Sequence, residues 1–316
     1  MNTASTQNLA KKPFTLTARM EETLRTIHFY RFMTAQDVAY RLFSPKSLTH
    51  VRETLSSLAE GEDFKDNNYL YRFKLANTSS GNTERVYTLG SKGRDYLANI
   101  VGLPVEWYFR PYKLRHFSYG QVAHCLVLTR VLIAAHVWSA KHPDFRLDKT
   151  RISYELARSP ASIQFTNQGK TEAFKVIPDA WLKFEQIKDG RHVHWFPVLL
   201  EIDRGMESRD KLKRQVRSRL EFTKKGGAYS KMFETEAVTI AYVTTGDRPE
   251  YRETRRKAMC AWTMEVLAEL HTASVWRIST KPIFSKSQFG FGRILTRLYP
   301  FSPHENSMAL ALQIIL

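Results

Sequence analysis

The chain has 316 residues, 48 Lys and Arg against 31 Asp and Glu for a formal charge of +17, and 43% hydrophobic side chains, so two domains with cores of their own are expected. Its 14 Gly and 12 Pro exclude a fibrous or low-complexity chain, and two cysteines, Cys125 and Cys260, are too few for a disulfide scaffold or a zinc cluster of their own. No run approaches 18 uninterrupted apolar residues and residues 1–14 lack the apolar core of a secretory leader, so a cytoplasmic protein is expected and a membrane-spanning one is not.

Residues 1–15 are polar, carry a Lys11-Lys12 pair and read as a tail. A first domain is expected over 16–99. Leu16, Met20, Leu24 and Ile27 have helical spacing, and Thr34 caps a short second helix through Val38 and Leu42. Ser44-Pro45 opens a third helix in which Leu48, Val51, Leu55 and Leu58 form one buried stripe, leaving Lys46, Thr49, His50 and Arg52 on the outer side. After Gly61 the period falls to two over residues 69–75 and 85–89, with a turn-rich stretch between them. Three helices followed by a hairpin describe a winged helix, whose third helix enters the major groove while the hairpin touches the neighbouring backbone. The closing run from Tyr87 to Gly93 resembles the end of many bacterial winged-helix domains. Protein contact or dimerisation is the competing use of such a module.

Residues 100–117, with two prolines and several aromatics, read as a packed connector. A second domain is expected over 118–280. A long apolar helix spans 118–140; then come a segment at 152–156, a short run at 162–166 and a hairpin pairing 173–185 with 193–204 across Lys188-Asp189-Gly190-Arg191. A helix at 207–225 ends at Gly226-Gly227, and a strand at 237–243, a helix at 250–270 and a strand at 273–279 complete an α/β (α+β) order. Residues 281–316 read as a C-terminal extension. Residues 204–225 hold nine basic and three acidic side chains. Such a surface attracts polyanions, so Arg209, Arg214, Arg217, Arg219, Lys224 and Lys225, with Arg85 on the hairpin, are expected to hold phosphates.

The chemistry-bearing residues are Pro178-Asp179 and, one hairpin later, Glu201-Ile202-Asp203. Strand alternation puts Glu201 and Asp203 on one face, and pairing with the preceding strand brings Asp179 toward Glu201. Converging carboxylates suit Mg²⁺ or Mn²⁺, which polarise a phosphodiester and activate water. The alternative is an ion network in which these acids pair with Arg204, Arg209 or Lys211. The His116, His124, His136 set has no Cys or carboxylate at ligand spacing, the alternating His192, His194 pair could bind a metal but reads as a solvated face, and no phosphate-binding loop or nucleophile motif is present.

Proline-aspartate on one strand and an acidic element on the next resembles the PD-(D/E)XK, or restriction-endonuclease-like, fold. The wider pattern is a winged helix, a connector, an apolar helix starting near His124, then Pro178-Asp179-Ala180, Leu200-Glu201-Ile202-Asp203-Arg204-Gly205 and a basic helix. It is similar to the replication-relaxation family of plasmids and integrative elements, related to mobilisation proteins of the relaxosome accessory type. The resemblance implies duplex DNA binding at an origin of replication or transfer. It places Asp179 and Glu201 on the two acidic, metal-binding positions of the endonuclease-like motif. Asp203 stands where an active member would carry Lys, so Lys211 or Lys213 would have to substitute, and the first helix has no carboxylate unless Glu155 replaces it. Expected partners are double-stranded DNA, a relaxase or replication initiator, and a second copy in a homodimer. A DNA-binding accessory protein is the first reading, a Mg²⁺-dependent endonuclease the second and an adaptor for a relaxase or initiator the third.

Overall fold

The chain divides into two units, Met1–Val122 and Ala123–Leu316. The computed structural model describes residues 15–59, 68–76, 83–105, 117–167, 170–224, 226–236, 238–245, 249–270, 277–278 and 293–295. The expected tail, the hairpin tip, most of the connector and nearly all of the C-terminal extension lie outside the described residues.

In the first unit, α1 (Ala18–Tyr30) starts at Thr17, whose Oγ1 accepts from the Met20 amide. Its Leu24 and Ile27 are fully buried. A two-residue strand, β1 (Met33–Thr34), follows, too short for any periodicity to announce it. Thr34 then caps α2 (Ala35–Leu42) in a reciprocal box: its hydroxyl accepts from the Asp37 amide while the Asp37 carboxylate accepts from the Thr34 amide. Ser44 and Pro45 open a single 3-10 turn, which runs into α3 (Leu48–Leu58). Val51, Leu55 and Leu58 face the core, as their spacing requires.

The hairpin of β2 (Leu70–Ala76) and β3 (Thr83–Leu89) pairs antiparallel from Leu70↔Leu89 to Ala76↔Thr83. β1 adds on the far side of β3, giving the order β1-β3-β2. α4 (Ser91–Asn99) closes the unit.

The second unit mixes helix and sheet. α5 (Tyr119–Lys141) is long and apolar enough to cross a membrane, yet 56% of its apolar window is buried inside the protein, the pattern of a core helix. β4 (Phe145–Ile152), α6 (Ser153–Leu156), β5 (Ala161–Asn167), β6 (Lys170–Val176), β7 (Ala180–Lys188) and β8 (Arg191–Asp203) follow. Then come α7 (Arg209–Phe222), α8 (Ala228–Phe233), β9 (Thr239–Thr244), α9 (Pro249–Glu269), β10 (Arg277–Ile278) and β11 (Arg293–Leu295). The main sheet has the order β10-β11-β9-β8-β7-β4. β8 and β9 are parallel, joined through α7 and α8, whereas β7 and β4 run antiparallel to their neighbours.

Two expectations are corrected here. The strand expected over 173–185 is two strands, because Pro178 has no N–H to give a ladder and the chain breaks between Val176 and Ala180. β6 consequently pairs with β5 in a separate hairpin. β4, absent from the expected order, is an edge strand whose burial does not alternate, so its sequence lacks the period-two signal. The β7–β8 turn is as expected: Asp189 and Gly190 both take positive φ, +51° and +72°, which a tight two-residue hairpin requires.

Both faces of the sheet are covered. Trp181, Leu199, Ile240 and Tyr242 join one core cluster with Leu212, Val216 and Leu220 of α7, Tyr229 and Phe233 of α8, and Met259 and Val266 of α9. On the opposite face Leu182, Phe184, Val198 and Leu200 are buried, and Phe184 meets Trp138 of α5 edge to face.

Candidate functional site

The three singled-out acids sit at the carboxyl end of β8 and the entry to β7. Ala180 pairs with Leu200, so Asp179 stands opposite Glu201, and Glu201 and Asp203 lie in register with Tyr242 and Thr244 of β9. The strand geometry thus brings the acids together, and both Glu201 and Asp203 are buried. A buried carboxylate must be paired or hydrogen-bonded. Each of these is held by a different helix.

Asp179 uses both oxygens. Oδ2 accepts from the Ile202 amide at 2.7 Å, and Oδ1 lies 3.0 Å from Nε2 of His124 on α5. Its backbone is held too, the amide donating to the Leu200 carbonyl and the carbonyl accepting from the Ser153 amide. Glu201 Oε1 accepts from the Arg219 guanidinium of α7, and Oε2 accepts from Gln215 Nε2 at 2.9 Å. Asp203 receives Arg255 of α9, Nε to Oδ2 at 2.8 Å and Nη2 to Oδ1 at 3.2 Å, and Oδ1 also accepts from the Gly205 amide. The acids therefore pin α5, α7 and α9 to one sheet end.

The glycine closing the motif has its own reason. Gly205 takes φ +74°, and a Cβ there would meet the Tyr251 hydroxyl at 2.5 Å; that hydroxyl donates to the Gly205 carbonyl.

These environments move pKa values. Burial pushes the Glu201 carboxyl above the usual carboxylate range, the Arg219 and Gln215 contacts offsetting part of the effect and the Asp179 charge adding to it. For His124 burial acts downward, but the bond to Asp179 and its charge outweigh it, leaving the imidazole above its ordinary value. A raised histidine contributes stability that is fully present below the unfolded value of 6.5 and lost as pH rises through the folded one. An NMR titration is therefore expected to place the His124 midpoint above 6.5, and Asp179→Asn to lower it; a midpoint unmoved by that change would refute the pairing.

Each oxygen of Asp179 and Glu201 accepts a hydrogen bond within the protein, and the Arg219 guanidinium already supplies Glu201 with the positive charge that a divalent ion would bring. Among the described residues no group of three His, Cys, Asp or Glu side chains is placed to hold a metal. The lysines offered as stand-ins are engaged elsewhere: Lys211 bonds Glu207 at 2.6 Å, and Lys213 bonds Glu269 at 2.6 Å and Glu265 at 3.1 Å.

The α7 cations expected to hold phosphates stand in different surroundings. Arg219 is corrected: it is buried against Glu201 and does not lie on the outer face. Arg209 pairs with Glu265 and Arg217 with Glu269, both on α9, while Lys224 pairs with Glu221. Arg214 is exposed, and Lys225 falls outside the described residues. Glu265 and Glu269, more than 50 residues downstream, pair with Arg209, Lys213 and Arg217, which no local reading of α7 could reveal. The ion network expected as the alternative is present with different partners: Arg219 and Arg255 in place of Arg204, Arg209 and Lys211. Arg219 was nonetheless findable, since it lies seven residues after Leu212 and three after Val216, on the stripe that packs inward.

In the first unit the expected reading face is solvent-exposed: Lys46, Thr49, His50 and Arg52 all lie outside the core. Lys74 and Arg85 are also exposed and pair directly across β2 and β3.

Compared with known protein families, residues 24–235 match the replication-relaxation family. The chain belongs to the replication-relaxation family. No curated protein and no solved structure matches it. The matched span of this replication-relaxation protein contains His124, Asp179, Glu201, Asp203 and Arg219, and stops short of Arg255, which completes the network from α9.

Proposed function

We propose that this chain is a duplex-DNA-binding accessory protein of a mobile genetic element, acting at an origin of replication or transfer. Its first unit serves as a winged-helix reader. Family membership supports the setting. The observation that carries DNA contact is the cross-strand pair of Lys74 and Arg85, two exposed cations held directly opposite one another on the hairpin. Like charges so placed destabilise a hairpin, and a phosphate between them removes that repulsion. Beside them α3 presents Lys46, Thr49, His50 and Arg52, side chains able to reach base edges and backbone in a major groove. The second unit acts as a rigid partner, its acids engaged in joining helices to sheet.

The test is a salt titration of binding to duplex DNA. Replacing Lys74 and Arg85 by alanine is expected to weaken binding to every sequence and to reduce the slope of log K against log salt by about 2, near 0.9 for each phosphate no longer neutralised. Replacing His50 and Arg52 is expected to relax sequence preference instead, each base edge left unread reducing discrimination by ~1–3 kcal/mol. Binding unchanged in both variants would refute the assignment.

A further inference from the structure

Beyond the ion network, the first turn of α9 holds a buried arginine that forms no ion pair among the described residues. Arg252, in the first turn of α9, is 6% exposed, and its Nε and Nη1 find no hydrogen-bond partner there. A guanidinium cannot neutralise itself by losing a proton, so a buried one requires an anion. Asp203 does not supply it, because its oxygens are taken by Arg255 and the Gly205 amide.

The surroundings indicate where that anion sits. Arg255, one turn further along α9, reaches the end of β8, and Arg252 lies on the same helical stripe. Helical side chains lean toward the N-terminus, which directs Arg252 toward the start of α9. Thr244, the last residue of β9 and the register partner of Asp203, is 1% exposed, and its hydroxyl also lacks a partner among the described residues. α9 is a 21-residue helix opened by Pro249, which has no N–H, so the donors of its first turn are the Glu250, Tyr251 and Arg252 amides, with the exposed Glu250 carboxylate on the same turn.

We propose that the carboxyl ends of β8 and β9 and the first turn of α9 form a phosphate-binding site, with the Arg252 guanidinium, the Thr244 hydroxyl and the α9 amides as its donors. The ligand is a phosphate group, either free or carried on a DNA strand. This site is separate from the hairpin cations and borders Asp203, whose charge Arg255 neutralises.

The experiment is thermal unfolding of the full chain with inorganic phosphate against chloride at matched ionic strength. Phosphate is expected to raise Tm by a few degrees, an effect lost in Arg252→Met and reduced in Thr244→Val. Should Arg252→Met not fold, Arg252→Lys keeps the charge without the planar fork and is expected to retain only part of the shift. A second arm compares an oligonucleotide bearing a 5′-phosphate with the same strand lacking it. A larger shift from the phosphorylated strand than from inorganic phosphate identifies a DNA terminus as the source, and equal shifts identify the free anion. No rise in the parent chain, or a rise that survives undiminished in the Arg252 and Thr244 variants, would overturn the proposal.

Discussion

Replacing Arg219 by methionine is expected to destabilise the second unit by about 3–5 kcal/mol, because it leaves the buried Glu201 carboxylate with only Gln215 as a donor. Methionine retains much of the apolar stem, so the loss reports the uncompensated charge and not a cavity. Two companion measurements isolate the cause. Adding Glu201→Gln to Arg219→Met is expected to restore most of the stability, since a neutral amide in place of the carboxylate removes the buried charge. The single variant is also expected to lose more stability at pH 8 than at pH 5. Burial already raises the Glu201 pKa, so the folded state binds the proton more readily than the unfolded chain, and stability falls as pH rises through the folded value. Urea denaturation followed by tryptophan fluorescence, with Trp181 in the same core, supplies the readout. A loss independent of pH, with no recovery in the double variant, would show that Arg219 acts through packing and not through charge.

Gly93→Ala is expected to destabilise the first unit by roughly 3 kcal/mol, at the upper end of what overpacking costs. The sign is the diagnostic feature. Gly93 lies inside α4, where exchange of glycine for alanine ordinarily stabilises a helix by about 1 kcal/mol. Here the added Cβ would stand 2.2 Å from the Tyr69 carbonyl oxygen and 2.8 Å from Leu89 Cδ1. The first of these is backbone at the entry to β2 and cannot swing aside. α4 therefore approaches the hairpin as closely as a glycine allows, and that approach sets how the hairpin sits on the helices. Asp95→Ala, on an exposed position of the same helix, is expected to change stability by less than about 0.5 kcal/mol. Equal effects at the two positions, measured by thermal unfolding, would mean that α4 does not rely on this close approach.

Gly93 also shows how a motif becomes physical. From Tyr87 to Gly93 the sequence signals a strand running into a helix, and the structure supplies the reason for its last letter. The elements of the first unit were legible because each is written locally: Thr34 for a cap, the spacing of Val51, Leu55 and Leu58 for a buried stripe, and alternation in β2 and β3. β1 was not, since two residues carry no period and form a strand only because β3 offers them a partner.

In the second unit alternation predicted that Glu201 and Asp203 share a face, and pairing predicted that Asp179 stands beside Glu201. The partners that define those acids come from elsewhere: His124 is 55 residues from Asp179, and Arg255 is 52 from Asp203. The same holds for the cations of α7, which as a string of letters are a stripe awaiting phosphate, while in the folded chain Arg209, Lys213 and Arg217 meet Glu265 and Glu269 of α9.

By itself, then, the sequence determined the class of the fold, the caps, most of the elements and the family, because these rest on spacing and on short motifs. Only the tertiary structure decided what the charged residues do. Charge acts through space and burial, so whether a carboxylate binds a metal or an arginine, and whether a cation meets water or glutamate, depends on which distant segments the sheet and helices bring into contact.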